Sequence, residues 1–301
     1  MSPDSSTTLS ALTAEPVLGV CMSNVSMLRL DLTGGLAPGN KHYKLRDSLA
    51  RASASGTRRV LSFGGAWSNH LHALAAVGAE LGLETIGVVR AGERETPMLE
   101  DVRRSGMHVV AVSRQDYRRR HDSDWLHVLE QRYGPCLVIP EGGASAQGVL
   151  GCLQIAELVN ASGRRFSRVL LPVGTGTTLA GMVAGLRADT EVYGVSALKG
   201  AVDLESRIQQ ALANAGLAAR VPWRILHDAH CGGFARTNPG LQDFMLAFEQ
   251  VQGIALEPVY TGKMLYALHS RLAQGQWSSV EPILAVHTGG LQGRRGYSWL
   301  S

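Results

Sequence analysis

The stretch Gly39-Asn40-Lys41-His42-Tyr43-Lys44-Leu45 puts a lysine amine directly after a Gly-Asn turn and at the start of a helical pattern. Such a turn fixes the backbone and leaves the side chain to point into a cleft. An amine held that way can form a Schiff base with an aldehyde. Most Gly-Asn-Lys strings are solvated turns, so the chemistry of Lys41 depends on what other segments bring to it.

Four segments are candidates. Leu171 to Met182 reads as a strand end, a Gly/Thr-rich turn (Gly174, Thr175, Gly176, Thr177, Thr178) and a helix start. Glycines let the backbone approach an anion, and the amides and dipole of a helix N-terminus favour a phosphate there. No Gly-Lys-Ser/Thr follows, so this is not a nucleotide P-loop. The third glycine of a dinucleotide fingerprint is replaced by Leu179, so a cofactor monophosphate is expected rather than a dinucleotide. Ser62 to His70 is again strand, glycine turn and helix start. There Ser68, Asn69 and His70 offer a hydroxyl, an amide and an imidazole together, and an N-terminal helix turn can grip a substrate carboxylate. Capping alone would also explain Ser68 and Asn69. Glu257 to Lys263 ends a strand at Pro-Val-Tyr and begins a helix at Thr261, with Tyr260 and Thr261 open to packing, capping or ligand roles. His287-Thr288-Gly289-Gly290 is one more glycine turn after an apolar strand.

The elements that position these turns alternate. Strands are expected at Arg59–Phe63, Thr85–Val89, Met107–Val112 and Cys136–Ile139, with helices at His70–Leu81, Met98–Ser105 and Asp122–Tyr133. A long helix, Gln147–Ala161, opens a second series. It continues with strands at Arg168–Pro172, Val192–Ser196 and Pro282–His287, and helices at Thr177–Leu186, Leu204–Ala213, Leu241–Gln250 and Gly262–Arg271. Short connections between alternating strands and helices imply α/β layers with parallel sheets covered on both faces. The smaller layer is expected within residues 45–144 and the larger from residues 1–44 and 145–301. Ligands in such folds bind at the carboxyl ends of the strands.

Composition narrows the class. The 301 residues are 45% hydrophobic and 18% charged, as in a globular protein. The net charge is +4, and arginines fall in small groups, which argues against nucleic-acid binding. Cys21, Cys136, Cys152 and Cys231 fit no zinc spacing and read as buried thiols of a reducing compartment. The histidines show no ligand spacing; even His227 and His230, three apart, have only Asp228 near them in sequence, so no metal is expected. The Ser/Thr-rich segment Met1 to Ala14 lacks a signal-peptide pattern, and no apolar run approaches the roughly 18 residues of a membrane helix. A soluble cytoplasmic protein is expected.

Taken in order, the Gly-Asn-Lys-x-x-Lys-Leu, Ser-Asn-His, Gly/Thr and Pro-Val-Tyr-x-Gly-Lys motifs, with the terminal His-Thr-Gly-Gly, resemble the tryptophan-synthase-β group (fold type II) of pyridoxal-phosphate enzymes. The resemblance runs from about residue 27 to 298 and is strongest to D-cysteine desulfhydrase and 1-aminocyclopropane-1-carboxylate (ACC) deaminase. It implies two mostly parallel twisted sheets flanked by helices, with the site in the cleft between them. It implies pyridoxal 5'-phosphate as cofactor, a small amino acid as substrate, and a homodimer with no membrane or nucleic-acid partner. Lys41 would be the Schiff-base lysine and Lys44 a second cation. Asn69 would bond the cofactor's phenolic oxygen, and Gly174, Thr175, Gly176, Thr177 and Thr178 would hold its phosphate. Thr261 would meet the pyridine nitrogen. Ser68, His70, Phe234 and Tyr260 would face the substrate, with Ser68 and Tyr260 in catalytic positions.

Within that family a glutamate after the tyrosine marks the ACC deaminases, because a carboxylate keeps the ring protonated and deepens its role as electron sink. Thr261 and His70 match the desulfhydrase pattern. Phe234 stands where a second tyrosine is expected, which removes a hydroxyl from the substrate pocket. The implied reaction is α,β-elimination, with Lys41 or Ser68 removing the Cα proton and a 2-oxo acid and ammonia as products. ACC-type ring opening, racemisation, β-replacement and a non-catalytic cofactor-binding role are the alternatives. A nicotinamide dehydrogenase is disfavoured by the missing fingerprint.

Overall fold

The computed structural model describes residues 9–300 apart from Gly34, Glu93 and Ala188. The first eight residues of the Ser/Thr-rich N-terminal segment therefore lie outside the described residues. Two sheets form. Strands β1 (Leu9–Ala11) and β2 (Val25–Arg29) precede helix α1 (Asn40–Ala54). Then come β3 (Arg59–Phe63), α2 (Asn69–Glu80), β4 (Glu84–Arg90), α3 (Pro97–Arg104), β5 (His108–Val112), α4 (Arg114–Arg118), α5 (Ser123–Tyr133) and β6 (Leu137–Ile139). The chain continues through α6 (Ala146–Ala161), β7 (Arg168–Val173), α7 (Thr177–Gly185), β8 (Glu191–Ser196), α8 (Leu204–Asn214) and β9 (Trp223–Leu226). It closes with α9 (Pro239–Gln252), α10 (Thr261–Ala273) and β10 (Ile283–His287).

The smaller sheet has order β5-β4-β3-β6 and is parallel throughout. The larger has order β1-β2-β10-β7-β8-β9 and is parallel except for β1, which pairs antiparallel with β2. The near-continuous apolar runs of β7 and β10 follow from burial on both faces. Parallel strands in one sheet point their carboxyl ends the same way. Residues of the turns after β3, β6, β7 and β10 meet around one cavity.

Close backbone packing sets their distance. A Cβ at Gly39 (φ 108°) would collide with the Thr288 carbonyl oxygen, and a Cβ at Gly151 in α6 would collide with the Tyr43 carbonyl of α1. Asn40 N donates to the same Thr288 oxygen at 3.1 Å. The start of α1 is thus tied to the turn after β10, a contact between segments some 250 residues apart.

Two expectations change. Pro258 to Tyr260 is a turn and not a strand end, because the Glu257 carboxylate gathers its backbone amides. Of the four cysteines, all free, only Cys152 is buried; Cys21 is exposed and Cys136 and Cys231 are half-buried. The short elements β1, α4 and β9 carry too little periodicity to read from sequence. No helix among the described residues is long and apolar enough to cross a membrane.

Candidate active site

A cavity lies where the four turns meet. It is lined by Asn40, Lys41, Lys44, Asn69, Gly142, Pro172 to Gly176, Thr178, Leu179, Tyr260, Thr288 and Gly289. Each wall has a local cause. Gly39 caps α1 without a side chain, so Asn40 and Lys41 open the helix facing the cavity. Lys41 Nζ donates to Asn40 Oδ1 at 3.0 Å, and Asn40 Nδ2 donates to Thr178 Oγ1 at 2.9 Å. The amine is thereby connected to the start of α7. Burial, and then the positive charge of Lys44, lower the Lys41 pKa to about 7. An amine near neutrality is a competent nucleophile at physiological pH.

The Gly174 to Thr178 turn forms the opposite wall. Gly176 takes φ 88° as the residue before α7, a conformation that suits glycine. This aims the first amides of the helix at the cavity. Thr175 and Thr177 hydroxyls sit 3.0 Å apart, and Lys44 Nζ donates to Thr175 Oγ1 at 3.3 Å and to the Gly142 carbonyl at 3.2 Å. Amides, hydroxyls and one ammonium converge there, with no carboxylate among the described residues that line the cavity. That donor set is complementary to a phosphate dianion.

Some residues singled out from sequence support the cavity from behind. Ser68 caps α2, its Oγ accepting from Leu71 N at 3.2 Å. Thr177 belongs to the cradle but does not line the cavity. Thr261 is fully buried and turned to Glu257: its Oγ1 donates to the Glu257 main-chain carbonyl at 3.3 Å and accepts from Glu257 N at 3.0 Å. Thr288, in the turn after β10, lines the cavity instead. The sequence signal for it was the glycine turn at a strand's carboxyl end. Phe234 is 58% exposed and meets Tyr260 edge-on at 6.1 Å between ring centroids. Its loop has Cys231 (φ 50°) and Ala235 (φ 56°) in the left-handed region. The Lys263 ammonium holds it by donating to the Gly233 carbonyl at 2.6 Å.

Sequence reasoning missed Glu257. This carboxylate is 1% exposed and accepts from Val259 N at 2.8 Å, Tyr260 N at 2.8 Å and Thr261 N at 2.6 Å. It gathers the orphan amides at the start of α10, where the helix dipole favours negative charge. Burial raises its pKa, and the backbone donors oppose the rise. Burial and the Glu257 charge hold the Tyr260 phenol well above its ordinary value.

His70 has a determined tautomer. Ser62 Oγ donates to the Ile139 carbonyl at 2.7 Å, so at 2.8 Å it must accept from His70 Nε2–H. Burial, then Lys41 and Lys44, lower the His70 pKa to about 3. His70 is therefore expected to stay neutral from pH 5 to 8, as read by its 15N ring shifts. Its folded value lies below the unfolded value near 6.5. Its contribution to stability is complete above that pH and is lost as pH falls toward about 3, by up to roughly 1.4 kcal/mol per unit. Titration of His70 near pH 6.5 in the folded protein would overturn the assignment.

Comparisons with known proteins agree with this geometry. The family model described as "Pyridoxal-phosphate dependent enzyme" matches residues 33–289. The chain is 31% identical over 281 residues to the D-cysteine desulfhydrase of Serratia proteamaculans (strain 568), covering 87% of this chain and 85% of the relative. It is 28% identical over 284 residues to a putative 1-aminocyclopropane-1-carboxylate deaminase of Pyrococcus horikoshii, covering 91% of this chain and 87% of the relative. The solved structure of an ACC deaminase homologue superposes with a TM-score of 0.80 at 27% identity, covering 96% of this chain and 90% of that one. With a Lys41 amine, a Gly/Thr anion cradle and this match over most of its length, the chain belongs to the pyridoxal-phosphate-dependent enzyme family.

Proposed function

We propose that this chain is a lyase that expels a β substituent, a thiol in the first instance, from a small D-amino acid, leaving a 2-oxo acid and ammonia. The observation that carries the reading is the makeup of the cavity wall. It holds a near-neutral lysine, a second lysine and hydroxyls, and no carboxylate among the described residues. A ring nitrogen faced by a hydroxyl such as Thr288 stays neutral and makes a mild electron sink. A mild sink suffices for a thiolate, a good leaving group, and suits the opening of a cyclopropane ring less well.

The residues fit the cofactor. The Gly174 to Thr178 cradle with Lys44 would hold the phosphate, Asn69 the phenolic oxygen and Lys41 the aldehyde carbon. Bound there, pyridoxal phosphate would supply the sink for the electron pair left when a Cα proton departs. The chain's own part is positional and acid–base. Lys41, drawn toward neutrality, accepts the Cα proton. The capped start of α2 at Asn69 offers amides to a substrate carboxylate, while the Ser68 amide is spent on the Gly65 carbonyl at 3.0 Å. Tyr260 and Phe234 form the apolar side of the entrance and keep water from the reacting carbon. Division of the chain into residues 1–44 with 145–301 and residues 45–144 completes the proposal. So does a homodimer working in the cytoplasm, which rests on the family resemblance.

The test is product analysis with purified, pyridoxal-phosphate-loaded protein given D-cysteine, L-cysteine and ACC in parallel. Sulfide and pyruvate from D-cysteine are expected. Ammonia from ACC with no sulfide from either cysteine would replace this reading with ring opening.

A further inference from the structure

The Asn69 amide is held from one side only, and by a segment that none of the motifs covers. After β10 the chain turns through Gly290 into a 3-10 segment, Leu291–Gly296. Gln292 Nε2 donates to Asn69 Oδ1 at 2.7 Å. A Cβ at Gly290 would collide with Asn69 Nδ2, so the amide nitrogen lies directly over that glycine. The same segment docks on α2 and α3. The Trp67 ring packs against Gly296, and Arg295 pairs with Asp101. The segment belongs to the turn after the large sheet, whereas Asn69 opens a helix of the small one. Asn69 lines the cavity, and Gln292 does not.

We infer that Gln292 is a positioning residue that anchors the Asn69 amide by its oxygen and leaves the NH2 end free. An amide can present either a carbonyl or an NH2 group, and only its partners choose between them. With Oδ1 engaged by Gln292, the NH2 end is left as a donor over Gly290, next to the cavity-lining Gly289. A donor is what an anionic ring oxygen requires, and a carbonyl in its place would repel it. The inference rests on the cofactor reading above and adds the group that makes Asn69 a donor.

The test measures cofactor affinity by fluorescence titration, not turnover. Gln292→Glu replaces the donor by a carboxylate that accepts from Asn69 Nδ2, turning Oδ1 toward the cavity. Its dissociation constant for pyridoxal phosphate is expected to rise about tenfold, the loss of one hydrogen bond to a charged group. Gln292→Met, which only frees the amide to rotate, gives a smaller rise in the same direction. In an Asn69→Ala background, Gln292→Glu is expected to add less than twofold, because the group it steers is gone. Wild-type affinity in both single variants overturns the inference. So does an equal loss with and without Asn69, which would mark Gln292 as mere packing. A wild-type protein that fails to bind pyridoxal phosphate at all sinks the cofactor reading, so the two failures are distinguishable.

Discussion

Lys41→Ala is expected to lower turnover by at least about a thousandfold, because it removes both the covalent anchor and the group that takes the Cα proton. Borohydride should fix cofactor mass to the wild-type chain and not to the variant. Phosphate affinity should persist, since Lys44 and the Gly174 to Thr178 cradle stay in place. The structure adds a pH signature. With its pKa lowered to about 7, Lys41 is deprotonated over most of the range above neutrality. The rate of cofactor capture by the apoprotein should therefore climb as pH rises to about 7 and level off above it. A free lysine would keep the rate climbing toward pH 10.4. A variant that retained turnover within tenfold of wild type would remove Lys41 from the chemistry.

Glu257→Ala is expected to destabilise the fold by about 3 kcal/mol. It strands three backbone donors at the start of α10, and each buried unsatisfied donor costs roughly 1–3 kcal/mol. Partial rescue by water brings the sum below the upper limit. Urea unfolding with unchanged slope and a lower midpoint checks it. Glu257→Gln retains an acceptor oxygen, so its loss should be the smaller of the two. The site would suffer as well, because the same amides place Tyr260 against Gly174. An alanine variant as stable as wild type would show that the α10 start satisfies itself without Glu257.

The elements that were legible in the sequence are those whose periodicity is set by burial. β3 was read at its observed bounds, Arg59–Phe63, and the starts of α7 and α8 fell at Thr177 and Leu204 as read. Apolar runs between glycine turns have few other uses, so the two α/β layers could be seen in one dimension. The Pro258 to Tyr260 turn was not legible, because Pro-Val-Tyr has strand propensity and the buried carboxylate of the preceding residue, Glu257, overrides it. β1 was not legible either. Its three residues form only by pairing with β2, and a pattern that short has no period.

By itself, the sequence determined the chemical inventory of this protein. A Gly-Asn-Lys turn, a Gly/Thr helix start and a Ser-Asn-His turn name an amine, an anion cradle and an amide, because local backbone geometry follows from glycine and capping residues. Only the tertiary structure decided which groups meet. It turned Thr261 inward to Glu257 and brought Thr288 to the cavity wall. It also lowered the Lys41 pKa by burying it beside Lys44. Desolvation and charge proximity are properties of distances across the fold. Lys41 and Thr288 are brought together by sheet order and by the contact of Gly39 with Gly289, which no local pattern encodes.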